Sequence, residues 1–172
     1  MLPTARMQCW IVAGQEGSYN ACLVFLQPTA MRCDPNMHSI QVALLPEMIS
    51  ERDVRAANLA IVIDTLRFTT SAVAALQAGA ASVRTCQEVS TARTLASLNP
   101  EWMLCGERDC KPIEGFTLGN SPLEYCEEIV AGKELVFTTT NGTRAVAAGL
   151  HAERVVLASL TNRASVCELL KK

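Results

Sequence analysis

Seven consecutive residues, Asn58-Leu59-Ala60-Ile61-Val62-Ile63-Asp64, constrain the fold of this chain more than any other stretch. Their apolar centre has no polar break, so it offers no hydrophilic face. A strand of that kind must be covered on both sides, as the inner strands of parallel α/β sheets are. The run ends on a carboxylate, and the period then changes. Over residues 69–77, Val73, Ala74 and Leu76 recur at helical spacing until Gly79 stops them. A buried strand followed directly by a helix is the unit from which parallel sheets are built.

The alternation continues downstream. Residues 81–86 read as a strand, 88–98 as a helix, and 102–105 as a short strand, before a long Gly- and Pro-containing loop over 106–120. Ser121-Pro122-Leu123-Glu124 supplies an N-cap, a proline at the first helical position and a reciprocal glutamate, which predicts a helix to about residue 131. Strands over 134–138 and 154–158 alternate with helices over 142–148 and 162–170. Right-handed crossovers then give an α/β fold with a mostly parallel sheet and helices on both faces.

Upstream the composition changes. Residues 1–37 hold four of the six methionines but only 4 of the 32 charged residues, and show no sustained period. The apolar patch Cys22-Leu23-Val24-Phe25-Leu26 is brief and ends at Pro28. Residues 1–36 are therefore expected to be an irregular extension, with Met37 as the natural start of an α/β domain over 37–172. From there Ile40, Val42 and Leu44 alternate with Ser39, Gln41 and Ala43, as a half-buried strand should, until Pro46.

Composition excludes several classes of function. A net charge of −2 and 5% aromatic residues argue against nucleic-acid binding by general electrostatics or by base stacking. No apolar run approaches the ~18–20 residues of a membrane span, and the start is too short for a signal peptide. Eight cysteines in a chain able to build its own core, without paired Cys-x-x-Cys knuckles, read as reduced thiols in the cytoplasm rather than disulfides or a zinc site. A homo-oligomer is compatible with this composition.

In open α/β sheets ligands bind beyond the carboxyl ends of the strands, and three such ends carry polar residues. Asp64-Thr65-Leu66-Arg67-Phe68-Thr69-Thr70 puts a carboxylate before a helix, as either a Mg²⁺ ligand or a helix cap. Cys105-Gly106-Glu107-Arg108 pairs an acid with a base, and its plainer reading is a solvated turn ion pair. Thr138-Thr139-Thr140-Asn141-Gly142-Thr143-Arg144 combines hydroxyls, a permissive glycine, helix N-terminal amides and an arginine into an anion cradle. Arg67, Arg108 and Arg144 at three strand ends suit a ligand with several anionic groups. The spacing thus indicates a metal-assisted site for a small polyanion. No thiol-phosphatase loop, no Gly-x4-Gly-Lys-Ser/Thr loop and no phosphohistidine context is present; His38 and His151 read as surface or capping residues.

At these residues the chain resembles the 2-phosphosulfolactate phosphatase family. The likeness rests on four elements in order: Ile63-Asp64-Thr65-Leu66-Arg67-Phe68-Thr69-Thr70, Leu104-Cys105-Gly106-Glu107-Arg108, Gly115-Phe116-Thr117-Leu118-Gly119-Asn120-Ser121-Pro122-Leu123-Glu124-Tyr125, and Thr138-Thr139-Thr140-Asn141-Gly142-Thr143-Arg144. It covers about residue 40 to the C-terminus. It implies a cytoplasmic, Mg²⁺-dependent hydrolysis of 2-phospho-3-sulfolactate to sulfolactate and phosphate, a step of coenzyme M biosynthesis.

Asp64, Glu107 and Arg144 are the expected catalytic residues, with Asp64 and Glu107 on the metal. Arg67, Thr69, Thr70, Arg108, Asn120, Ser121, Thr139, Thr140, Asn141, Gly142, Thr143 and Asn162 are the expected substrate contacts. The nucleophile is either a water on Mg²⁺ or a side chain, Asp64 or a threonine of the cradle. Two features depart from the family pattern: Asp109-Cys110-Lys111-Pro112 replaces the small residues expected after Gly-Glu-Arg, and the family's sequence continues past residue 172, so the sheet is expected to lack its last strands on the C-terminal side. The competing expectations are a non-catalytic anion-binding or regulatory family member, and a phosphatase for another small anionic phosphoester.

Overall fold

The structure is a computed structural model that describes residues 11–14, 22–28 and 38–171. Ten strands occur among them: β1 (Ile11–Gly14), β2 (Cys22–Pro28), β3 (His38–Ala43), β4 (Leu59–Ile63), β5 (Ser82–Thr85), β6 (Met103–Arg108), β7 (Lys111–Pro112), β8 (Glu134–Thr138), β9 (Val155–Ala158) and β10 (Thr161–Asn162). The helices are α1 (Glu51–Arg55), α2 (Phe68–Gln77), α3 (Val89–Leu98), α4 (Glu127–Val130), α5 (Gly142–Gly149) and α6 (Arg163–Leu169).

The strands form two sheets, in the orders β10-β1-β9-β4-β2-β3 and β5-β8-β6-β7. Pairing is parallel at β1–β10, β1–β9, β4–β9, β5–β8 and β6–β8, and antiparallel at β2–β3, β2–β4 and β6–β7. The fold is α/β and mostly parallel, divided between a six-stranded and a four-stranded sheet.

The run that constrained the fold behaves as its composition requires. Ala60 and Val62 join the core that includes Ala145 and Val146 of α5, while Leu59 and Ile61 pack with Val166 of α6. Strand β4 is thus covered on both faces. Helix α5 leaves β8 of the smaller sheet and packs on β4 of the larger one, and α2 contacts both β1 and β5. Phe68 of α2 meets Phe137 of β8 edge-on with ring centroids 5.6 Å apart, and Tyr125 stacks on the same ring at 5.4 Å. These crossovers bring the carboxyl ends of β4, β6 and β8 toward one another.

Three expectations change. The extension over 1–36 is not wholly irregular: Cys22–Pro28 pairs antiparallel with both β3 and β4, and Ile11–Gly14 pairs with β9 and β10. Its apolar run carries the same two-faced signature as β4. The rest of that segment, with Met37, lies outside the described residues. Ile40, Val42 and Leu44 keep the predicted alternation, yet each is more than 60% exposed while Ala43 is buried. Period fixes which residues share a face of an edge strand, but not whether that face is covered.

The helix predicted over 121–131 is broken into a 3-10 turn at Pro122–Glu124 and the single turn of α4. The capping box does form, but Tyr125 turns inward onto Phe137 with φ −100° and ψ 83°, which ends the helical path.

Candidate active site

Asp64 leaves β4 in a buried position, 6% exposed. Its main chain is closed by Thr69, whose backbone N–H donates to the Asp64 carbonyl at 3.0 Å, while the Asp64 N–H donates to Thr69 Oγ1 at 3.0 Å. The Thr69 hydroxyl also lies 2.8 Å from the Ala158 carbonyl at the end of β9. Thr69 therefore fixes the neighbouring strand ends and is itself fully buried. The Phe68 amide at the start of α2 lies beside the Asp64 carboxylate and favours its charged form. Burial pushes its pKa up to about 6; the nearby Glu107 charge adds to the rise, and the Phe68 amide and Arg67 oppose it.

Gly142 lies directly against this carboxylate. A Cβ there would sit 2.5 Å from Phe68 Cδ1, 2.6 Å from Phe68 Cβ and 2.7 Å from Asp64 Oδ2. The glycine brings the first turn of α5 onto Asp64. No larger residue fits without moving one of them.

Glu107 is also buried, at 8% exposed, and does not pair with Arg108 in a solvated turn. Its carboxylate accepts from the Cys110 N–H at 2.6 Å, the Thr140 N–H at 2.8 Å and the Thr140 hydroxyl at 3.1 Å. The tight hairpin that makes this possible has positive φ at Asp109 (52°) and Cys110 (61°). The departure from small residues at this point thus still closes a turn that points an amide at Glu107.

Arg108 acts as a brace. It donates to the Thr139 carbonyl at 2.9 Å, the Gln87 carbonyl at 2.9 Å and the Thr138 hydroxyl at 2.6 Å. The three arginines therefore differ in environment. Arg67 is exposed beside Asp64, and half-exposed Arg144 forms an ion pair with Glu47 from the turn after β3. Glu47 and Arg144 line a cavity of about 190 Å³ with Leu45, Pro46 and Asn141.

The polar turn at the start of α5 divides similarly. Thr139 and Thr143 are 1% exposed and cap each other: the Thr143 N–H donates to Thr139 Oγ1 at 3.1 Å, and the Thr143 hydroxyl returns to the Thr139 carbonyl at 2.9 Å. Thr140 accepts from the Asp109 N–H at 2.8 Å while serving Glu107. The Asn141 and Gly142 amides are at positions where a helix provides no partner of its own. They remain, with Arg144, as the donors suited to an anion.

The Gly119-to-Tyr125 motif is a clamp. Glu124 accepts from the Gly119 N–H at 2.6 Å and the Ser121 N–H at 3.3 Å, and the Tyr125 hydroxyl donates to the Gly119 carbonyl at 2.6 Å. Asn120 sits between the clamped residues, 6% exposed, and its carbonyl accepts from Ser71 of α2 at 2.9 Å. Its side-chain Oδ1 is buried without a hydrogen-bond partner.

Two expected contacts have local roles. The Thr70 hydroxyl donates to the Thr65 carbonyl at 2.7 Å. Asn162, 1% exposed, accepts from the Ser159 N–H at 2.6 Å and donates to the Leu157 carbonyl at 2.9 Å, tying off the end of β9. Glu47, Ser71, Glu124 and Tyr125 were not anticipated as site residues. For Glu124 and Tyr125 the signal is present, inside both the capping box and one of the four family elements, but it gives them no role of their own. Glu47 carried no local signal.

The chain is similar in sequence to known proteins. The family model described as 2-phosphosulpholactate phosphatase matches residues 43–172. A "Probable 2-phosphosulfolactate phosphatase" of Caldanaerobacter subterraneus subsp. tengcongensis is 44% identical over 126 residues, 72% of this chain and 52% of the relative. Proteins of the same description from Symbiobacterium thermophilum and Deinococcus radiodurans are 45% and 42% identical, over 64% and 74% of this chain. The chain spans about half the length of the curated relatives it matches. With the matched region enclosing Asp64, Glu107, Asn120 and the turn over 138–144, the chain belongs to the 2-phosphosulfolactate phosphatase family.

Proposed function

We propose that this chain carries the metal and phosphate half-sites of a Mg²⁺-dependent phosphatase acting on 2-phospho-3-sulfolactate, a step of coenzyme M biosynthesis, in the cytoplasm. The observation that carries the reading is the pair of buried carboxylates, Asp64 and Glu107, at strand ends beside the N-terminus of α5. The residues fit a hard cation. Two buried carboxylates, with the Glu107 charge adding to the rise at Asp64, and a buried orphan oxygen on Asn120 are oxygen donors of the kind such ions take. Mg²⁺ would supply charge neutralisation of the phosphoryl oxygens and a more acidic water. No helix among the described residues is long and apolar enough to cross a membrane.

In this reading Asp64 and Glu107 hold the cation. The Cys110 and Thr140 donors keep the Glu107 carboxylate fixed. Arg144 and the Asn141 and Gly142 amides bind the transferring phosphoryl, where preorganised donors contribute most. Arg67 faces a second anionic group of the substrate, and Arg108 positions the Thr138–Thr139 backbone. A threonine nucleophile finds little support: the Thr139 and Thr143 hydroxyls bond each other's segment, and the Thr140 hydroxyl donates to Glu107. The test is phosphate release from 2-phospho-3-sulfolactate with Mg²⁺ and with EDTA, beside a panel of other small phosphoesters. Phosphate binding without release from any of them would favour the non-catalytic family member.

Arg144 gives a sharper expectation. Arg144→Ala lowers turnover by orders of magnitude and weakens inhibition by inorganic phosphate about tenfold or more, the worth of a charge-assisted contact. Glu47→Gln frees the guanidinium and tightens phosphate inhibition by up to about fivefold, since an exposed ion pair is worth about 1 kcal/mol or less. In an Arg144→Ala background the Glu47 substitution has no effect on phosphate inhibition. Equal inhibition constants for wild type and Arg144→Ala would remove Arg144 from the phosphate site.

A further inference from the structure

The Asn120 side chain poses a question that the anion cradle does not answer. Its Oδ1 is buried without a partner, and such an atom is costly to the fold unless something occupies its lone pairs. The residue is nevertheless held with care. Glu124 and Tyr125 fix Gly119 and Ser121 on either side, and Ser71 fixes the Asn120 carbonyl.

The anchors run to both acid-bearing elements. Ser71 lies two residues beyond Thr69, whose N–H donates to the Asp64 carbonyl at 3.0 Å. The Gly119 carbonyl accepts from the Gly106 N–H at 3.2 Å, and Gly106 precedes Glu107. The clamp therefore ties Asn120 to the first turn after Asp64 and to the strand end that carries Glu107.

Among the described residues no group of three His, Cys, Asp or Glu side chains could hold a metal ion. A hard cation at Asp64 and Glu107 would take any further protein ligand from a neutral oxygen, and an amide carbonyl is one of the donors such ions accept. We propose that Asn120 Oδ1 is the third protein ligand of a divalent cation held by Asp64 and Glu107. The proposal rests on the reading of those two carboxylates as the cation pair. It moves Asn120 from the substrate to the metal and explains why the clamp surrounds this residue. It also accounts for the orphan oxygen, which is a donor without its cation.

The test is Mn²⁺ binding, followed by loss of the free-ion EPR signal, together with thermal unfolding in EDTA. Asn120→Leu keeps the side chain's shape and removes the oxygen. It is expected to weaken Mn²⁺ binding about tenfold or more, while the unfolding temperature in EDTA stays the same or rises because no orphan acceptor remains. Asn120→Asp, which keeps an oxygen, is expected to bind Mn²⁺ at least as tightly as wild type.

If Asp64→Asn and Glu107→Gln lose Mn²⁺ but Asn120→Leu binds it like wild type, the proposal is overturned and an enclosed water is the partner of Oδ1. If Asp64→Asn and Glu107→Gln also bind like wild type, the cation pair itself is wrong. Should Asn120→Leu unfold, Asn120→Asp decides: weakening beyond tenfold overturns the proposal.

Discussion

Asp64→Asn is expected to abolish Mg²⁺-dependent phosphate release, by about a thousandfold or more, while making the metal-free protein more stable at pH 8. The two effects share one cause. Burial raises the Asp64 pKa from an ordinary 3.8 to about 6, so the folded state holds this proton more tightly than the unfolded chain does. Ionising the buried carboxylate therefore works against the fold. The sign follows: below pH 3.8 the group is protonated in both states and has no effect, the penalty grows between pH 4 and 6, and above pH 6 it is complete.

A shift of that size corresponds to about 3 kcal/mol, a change of roughly 9 °C in unfolding temperature for a domain of this length. Asparagine carries no charge. In EDTA the variant should match wild type near pH 4 and exceed it at pH 8. A variant less stable than wild type at pH 8 would mean that the carboxylate supports the fold rather than being held against its solvation.

Gly142→Ala tests the geometry around the same carboxylate. The added methyl group would overlap Phe68 Cβ and Cδ1 and crowd Asp64 Oδ2, all below 3.0 Å. The Phe68 ring has little room to give way, since it is fully buried against Phe137. The first turn of α5 must move instead, carrying the Asn141 and Gly142 amides and Arg144 away from Asp64. Overpacking of this kind costs about 3 kcal/mol, and a displacement near 1 Å at reacting groups lowers turnover about a hundredfold. Thermal unfolding and steady-state kinetics measure the two losses. Wild-type turnover in this variant would show that α5 need not approach Asp64 for activity.

Much of this arrangement is legible in the sequence, because the physical demands are local. A seven-residue run with no hydrophilic face can only be an inner strand, and β4 is one. The acids at the ends of β4 and β6 and the polar turn before α5 could be placed from the alternation of strands and helices alone. What escaped the sequence depends on contacts between distant segments. Arg108 looked like a third anion ligand because its sequence neighbours are polar; its acceptors, Gln87 and Thr138–Thr139, come from other turns. The Ser121–Glu124 capping box marks a helix start, but nothing in the pattern shows that Tyr125 prefers the Phe137 ring to another turn. Glu47 meets Arg144 across 97 positions, a pairing without a local pattern. The strand β2 is masked in the sequence by its brevity and by Pro28 at its end, although its apolar run has the same character as β4.

The central claim is that Asp64 and Glu107 hold a divalent cation next to a phosphate site at the start of α5. The most direct measurement is a crystal structure of the chain grown with Mn²⁺ and inorganic phosphate, with the ion located by its anomalous signal. The account predicts one strong peak between the Asp64 and Glu107 carboxylates, and phosphate density reaching the Asn141 and Gly142 amides and Arg144. A peak bound elsewhere, or phosphate held away from Arg144 with no ion between the two acids, would contradict it.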